Sequence, residues 1–271
     1  MAQAYVRRTE EDKIFCAHIE DLVCQMQKSC MPCFSRFLDE REQALAEAIL
    51  RQNKITQDQY YFWTGFAVSE ENAMGRRMLG IFPDYLSASN GIEPAVWEEQ
   101  FPIEAVTLSY HERDGLTHRD ILGSCMGLGM KRELLGEILT GGDFAVIFCT
   151  PTAREMILSE LEQVGRVKVA KCGGIPPELP PMYRLEYKTG TVSSLRLDCV
   201  VALAVNLSRE KSAALIEGGS VNLNFFEETK ISKEISQGDI LSLRGYGRFV
   251  LSEVGAQSKK GRIHITIGKY V

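Results

Sequence analysis

Long hydrophobic runs are missing from this chain of 271 residues. The longest unbroken one extends only from Cys199 to Val205, far short of the roughly 20 apolar residues that a membrane-spanning helix needs. Net positive charge is missing too: the formal balance is −5, which argues against indiscriminate binding to polyanions. Histidine is scarce. His18, His111, His118 and His264 are the full set, which leaves little material for a histidine metal cluster. There is no internal repeat and no low-complexity segment, so solenoids and disordered tails are excluded as descriptions of the whole chain. The first residues carry no apolar stretch of the signal-peptide kind, which predicts a soluble, cytoplasmic protein.

What is present is ordinary globular material. Hydrophobic residues make up 45% and charged residues 25%, enough to bury a core of useful size. The length favours more than one domain. Eight cysteines (Cys16, Cys24, Cys30, Cys33, Cys125, Cys149, Cys172 and Cys199) are scattered, several inside apolar stretches. They read as mostly reduced and buried. The charge is unevenly spread. From Thr191 onward eleven Lys and Arg stand against eight Asp and Glu, while the rest of the chain carries 20 against 28. A nucleic-acid surface is therefore to be sought in the basic C-terminal part.

Periodicity predicts the elements. Arg7 to Met26 and Asp39 to Leu50 space their apolar residues as helices, so residues 1–75 read as a helical N-terminal region. Tyr60, Tyr61, Phe62, Trp63 and Phe66 cluster within it, either as core or as an exposed stacking platform. Residues 76–188 alternate strand and helix. Ala105 to Tyr110 reads as a strand, Thr117 to Met130 as a helix, Glu137 to Leu139 and Phe144 to Cys149 as strands, Thr152 to Val164 as a helix and Val167 to Ala170 as a last strand. That order is the split β-α-β arrangement of ferredoxin-like and RNA-recognition (RRM-like) folds. The run Ile175 to Pro181 holds four prolines and marks a rigid edge. Residues 189–271 open with a helix from Leu195 to Val205 capped by Ser193 or Ser194. A second helix from Ser208 to Ile216 ends at Gly218-Gly219, and short strands follow at Val221 to Leu223, Ile240 to Leu243, Arg248 to Leu251 and Arg262 to Ile267. The fold class expected is α+β.

Several catalytic-looking strings are empty. His118-Arg119-Asp120 copies the start of a kinase catalytic loop but lacks the asparagine that should follow. It reads better as a helix start, with Thr117 as cap and His118 and Arg119 exposed in the first turn. Lys230-Ile231-Ser232-Lys233 mimics a tRNA-synthetase signature without its partner motif, and so reads as a basic loop. Cys30 and Cys33 have redox or zinc spacing, but no second pair accompanies them. Phe144, Val146 and Phe148 share one strand face and read as core. No serine–histidine–aspartate set and no outstanding carboxylate pair is found.

The C-terminal part is richer. Arg196 opens one helix; Ser208, Arg209 and Lys211 open the next. Helix starts offer free N–H groups and partial positive charge, to which these side chains add full charges. Arg244 and Arg248 bracket a glycine-flanked turn, and Asn222 lies on a nearby strand with a side chain able to bond a base or sugar. The alternative is a solvated basic face with no ligand.

Four segments in order carry a resemblance: Arg196 to Asp198 (RLD), Ser208 to Ile216 (SREKSAALI), Gly218 to Asn224 (GGSVNLN) and Gly238 to Phe249 (GDILSLRGYGRF). Together they resemble the S4 RNA-binding domain. Phe37 to Gln43 (FLDEREQ), Leu116 to Ile138 (LTHRDILGSCMGLGMKRELLGEI) and Gly141 to Cys149 (GGDFAVIFC) extend it over most of the chain. The whole is similar to YlmH-type RNA-binding proteins, in which an RRM-like domain precedes an S4 domain. The resemblance implies a non-catalytic protein that grips structured RNA, ribosomal RNA and also tRNA, on the large ribosomal subunit. It also implies a part in rescuing stalled subunits that still carry peptidyl-tRNA, and an association with cell-division genes. The RNA-binding residues expected are Arg196, Ser208, Arg209, Lys211, Asn222, Lys230, Arg244 and Arg248, with His118 and Arg119 as a second contact. No cofactor, metal or membrane is expected, and the chain is expected to be a monomer. The alternatives are an RNA-modifying enzyme such as a pseudouridine synthase, and a division-associated interaction factor.

Overall fold

The structure is a computed structural model that describes residues 9–67, 75–180, 182, 184–258 and 261–271. The chain divides into two compact units, Met1–Met182 and Tyr183–Val271.

The first unit opens with two helices, α1 (Glu10–Ser29) and α2 (Glu40–Gln52), around a strand, β1 (Cys33–Leu38). Each helix starts with a reciprocal cap: Thr9 with Asp12, and Asp39 with Glu42. The apolar stripe of α1 (Phe15, Ile19, Leu22, Val23 and Met26) is buried as its spacing predicts. Strands β2 (Tyr60–Trp63) and β3 (Arg77–Ile81) complete an antiparallel sheet in the order β1-β3-β2. The helical reading of this region thus holds for α1 and α2, while a sheet stands between and after them. Its strands are short, and β1 is broken by a bulge between Phe34 and Phe37, so no clean period-two alternation marks it. Ser35 fills the bulge, accepting from the Leu79 N–H at 2.9 Å. Of the aromatic cluster, Tyr60 to Trp63 are half-buried and Phe66 is buried. Tyr61 and Trp63 stack at 5.9 Å, and Tyr61 reaches Trp97 at 5.8 Å and donates to Glu98.

A short helix, α3 (Pro94–Glu98), leads into β4 (Glu104–Ser109), α4 (His118–Gly127), β5 (Leu135–Thr140), β6 (Phe144–Cys149) and α5 (Pro151–Glu160). A two-stranded ribbon, β7 (Gln163–Val164) and β8 (Val167–Lys168), precedes β9 (Ala170–Gly173). The sheet order is β5-β6-β4-β9, with every pairing antiparallel, which is the expected RRM-like topology. One face packs Val106, Leu108 and Ile147 against Ile121, Cys125 and Ile157 of the helices. The opposite face is also covered. Ala105, Leu139, Val146 and Phe148 are buried there with Phe66, and Leu179 and Met182 of the proline-rich segment pack on them. Residues 175–180 of that segment have no helix or strand; Pro181 lies outside the described residues.

The second unit runs β10 (Leu185–Val192), α6 (Leu197–Val205), α7 (Arg209–Glu217), β11 (Val221–Leu223), β12 (Phe226–Glu227), β13 (Ile240–Leu243), β14 (Gly247–Gln257) and β15 (Ile263–Tyr270). Its sheet order is β10-β15-β14-β13-β11-β12. The core gathers Leu197, Val200 and Val201 of α6 and Ile216 of α7 over Val221, Leu241, Leu243, Phe249, Leu251 and Ile267 of the sheet. Two details differ from the sequence reading. β10 pairs along its full length with β15, although its own residues alternate weakly. The first helix starts at Leu197 with Arg196 in the cap position, not at Leu195; the hydroxyls of Ser193 and Ser194 lie instead beside the Cys199 thiol.

Candidate nucleic-acid interface

Asp198, in the first turn of α6, is 3% exposed. Its carboxylate accepts from Arg196 Nε at 3.0 Å and from Arg209 Nη2 at 2.6 Å and Nε at 3.2 Å. Burial alone would raise this carboxyl; the hydrogen bonds and charges of Arg209 and Arg196 outweigh it and hold Asp198 below the ordinary carboxylate range. In return the hydrogen bonds that Arg209 donates to Asp198 keep it protonated even more firmly than usual. One acid thus aims two guanidinium groups, an exposed Arg209 at 58% and a half-buried Arg196 at 39% side-chain exposure. The set keeps a net positive charge, and guanidinium nitrogens remain for an outside acceptor.

The start of α6 is not an open anion site, contrary to the sequence reading. The Leu197 N–H donates to the Lys233 carbonyl at 2.8 Å and the Asp198 N–H to the Ile231 carbonyl at 3.3 Å. A bridge between Arg196 and Glu234 closes the same contact. The consequence is useful, because it pins the basic turn that carries exposed Lys230 against the arginine pair. At α7 the Ser208 hydroxyl accepts from the Lys211 N–H, so Ser208 acts as the helix cap while Lys211 stays exposed. Arg196, Arg209, Lys211 and Lys230 therefore form one basic cluster around the two helix starts.

Asn222, Arg244 and Arg248 lie elsewhere in the same unit. They line a concavity of about 590 Å³ together with Ser220 and Ser242. It begins just past the far end of α7, whose nine residues span roughly 14 Å. Gly245 and Gly247 take φ of 85° and 105° in the β13–β14 turn, a conformation that favours glycine. The Arg244 N–H donates to the Ser220 carbonyl and closes the turn over β11. Arg248 lies over the Phe225 ring, 5.7 Å from its centroid.

His118 and Arg119 belong to the other unit, where they open α4. The Thr117 cap pairs with Asp120 as expected. Enclosure by its surroundings and the charge of Arg132 lower the His118 imidazole from its ordinary value, so at neutral pH it is a neutral donor rather than a cation. Arg119 is exposed. Sequence reasoning did not single out Asp198, Ser220, Ser242 or Phe225. The RLD string was the available signal for Asp198; the others announce themselves only through strand register. Among the described residues no helix is long and apolar enough to cross a membrane, and no group of three or more His, Cys, Asp or Glu could hold a metal ion.

Residues 97–172, which span β4 to β9, match a family model described as "Putative RNA-binding domain in YlmH". The chain is 29% identical over 232 residues to the ribosome-associated protein quality control protein P2 of Bacillus subtilis (strain 168), an alignment covering 85% of this chain and 84% of that protein. Among solved structures, the cell division protein ylmH from Streptococcus pneumoniae is similar at 20% identity and a TM-score of 0.46, over 66% of this chain and 96% of that one. The chain is thus similar to YlmH-type proteins, through the matched domain at residues 97–172 and through a relative aligned across most of both chains.

Proposed function

We propose that this protein binds structured RNA on the ribosome and performs no chemistry of its own. It would act in the cytoplasm on the large subunit, touching ribosomal RNA and tRNA in the clearance of stalled peptidyl-tRNA complexes. The observation that carries the reading is the buried Asp198, which aims Arg196 and Arg209 outward beside Lys211 and Lys230. A carboxylate sequestered in this way orients cations toward an external anion. Two arginines with spare nitrogens suit phosphate oxygens, and the docking would be positional. The name of the Bacillus relative supports the ribosome as the place of action, and the description of the matched domain supports RNA as the ligand. Arg119 would supply a second contact from the other unit.

The test is co-sedimentation with separated ribosomal subunits at two salt concentrations. The wild type should follow the large subunit in a salt-sensitive way. The Arg196→Ala, Arg209→Ala double variant should lose most of that binding, and the single Arg209→Ala change should shallow the logarithmic salt slope by about one. Equal binding by wild type and a folded double variant would overturn the assignment.

A further inference from the structure

The basic cluster accounts for phosphate. It leaves unexplained a polar row on the outer face of the second unit's sheet. Register pairs Glu227 with Asn222, Asn222 with Ser242, and Ser242 with Arg248 across four adjacent strands. Directly opposed residues share a face, so these four side chains stand in one line. Their neighbours along the strands, Val221, Leu223, Leu241, Leu243 and Phe249, point the other way into the core. Among the described residues, the side chains of Ser220, Asn222 and Ser242 have no hydrogen-bond partner within the protein, yet all three line the same concavity. Close by, the Asn224 carboxamide is fully used, donating to Asp239 and accepting from the Ile240 N–H. An unpartnered hydroxyl also occurs at the buried Ser252, outside the concavity, but Ser220, Asn222 and Ser242 share it.

Phosphate binding does not call for such a row. A carboxylate would repel the anion, and a half-buried carboxamide adds little to two arginines. A nucleobase does call for it. Its edge presents donors and acceptors in one plane, which a carboxamide can match with two bonds. Its face stacks on a guanidinium plane. Arg248 is held over Phe225 at 5.7 Å, and Phe225 itself sits at a φ of 71°, a left-handed conformation that bulky residues rarely adopt. The backbone thus tolerates strain at the residue that supports the guanidinium, as at many ligand sites. Arg244 stands at the rim for the phosphate of the same nucleotide.

We infer that the concavity takes one unpaired nucleotide of an RNA, with its base edge on Asn222 and Ser242 and its face on Arg248. The nucleotide must be unpaired because a base within a helix has no free Watson–Crick edge to offer. This inference rests on the RNA-binding reading above and adds what the RNA must present.

The experiment measures binding of the full chain to two fluorescent RNA probes, a hairpin with a single-stranded loop and a blunt duplex of the same stem. The wild type should prefer the hairpin. Asn222→Ala should weaken hairpin binding by about tenfold, leave duplex binding unchanged and leave the salt slope unchanged, since no charge is lost. Asn222→Leu, similar in size and uncharged, should show the same selective loss because it removes both the donor and the acceptor. Hairpin preference that survives both substitutions overturns the inference while leaving the RNA-binding reading intact. Equal loss on hairpin and duplex overturns it as well, since the residue would then serve the fold or a phosphate. A wild type that binds neither probe overturns the RNA-binding reading itself, and this inference with it.

Discussion

The two largest sheets treat their outer faces in opposite ways. In the first unit the sheet β5-β6-β4-β9 has the RRM-like topology, whose open face commonly stacks bases on aromatic side chains. Here that face is closed. Phe148 is fully buried and lies 4.6 Å from the Phe66 ring, with Leu179 and Met182 packed over the same surface. In the second unit the outer face of the sheet carries Asn222, Ser242 and Arg248, and its aromatic residues stay accessible: Phe225 half-buried, Tyr246 at 39% exposure. Topology alone would send the RNA to the first sheet. On the reading proposed above, the RNA goes to the second, because an aromatic ring already packed on another ring has no face left to offer. Function follows the residues placed on a fold rather than the fold itself.

The comparison breaks most visibly in stability. Phe148→Ala should destabilise the intact chain by about 3–5 kcal/mol, the usual range for emptying a buried aromatic site, read as a fall in the urea midpoint. If instead the variant stays stable and loses RNA affinity, the first sheet is a stacking platform after all. Next in size is the acid limb. Asp198 has a depressed carboxyl, so its stabilising contribution is complete above the ordinary carboxylate range and is lost as pH falls through its lowered value. Asp12, buried beside Arg41 at 2.8 Å, is depressed in the same direction and acts in the same window within the first unit. Asp198→Asn keeps the shape and removes the charge. It should flatten the acid limb for the second unit alone and free Arg209 to move, weakening RNA binding at neutral pH. An unchanged acid limb would show that Asp198 does not brace the pair.

Much of this was legible in the residues themselves. The RRM-like order could be read because β4, β6, α4 and α5 carry strong local periodicity, and the Thr117 and Ser208 caps announce their helices. The core placement of Val146 and Phe148 could be read from one strand face, while Phe144 is only partly buried and the other face, with Ala145 and Ile147, is buried as well. The sheet formed by Cys33–Leu38, Tyr60–Trp63 and Arg77–Ile81 could not, because its pairing is non-local and its longest strand is bulged. Among candidate RNA contacts, charge pointed to Arg196, Arg209, Lys211, Lys230, Arg244 and Arg248, but charge does not distinguish a phosphate clamp from a base site. That division depends on which side chains face one another across β11, β13 and β14, and register is settled by the folded sheet. The closing of the α6 start by the Ile231 and Lys233 carbonyls is likewise a contact between segments distant in sequence.

The smallest effect sharpens the comparison furthest. Asn224 and Phe225 both adopt positive φ, 47° and 71°, in the two-residue turn between β11 and β12. Such hairpin turns favour Asn-Gly, because both central residues must be left-handed. The sequence has the asparagine and then a phenylalanine where glycine would be easier. Holding a bulky residue there costs on the order of 1–2 kcal/mol, part of which glycine returns as lost backbone entropy in folding. Phe225→Gly should therefore leave the stability level or raise it by up to about 1 kcal/mol, while removing the ring beneath Arg248 and lowering hairpin-RNA affinity. The two phenylalanines would then differ in sign: Phe148 supports the fold, and Phe225 is retained against the fold's own preference. Should Phe225→Gly destabilise the chain and leave RNA binding untouched, Phe225 is a packing residue, and the contrast between a closed sheet and an open one loses its aromatic half.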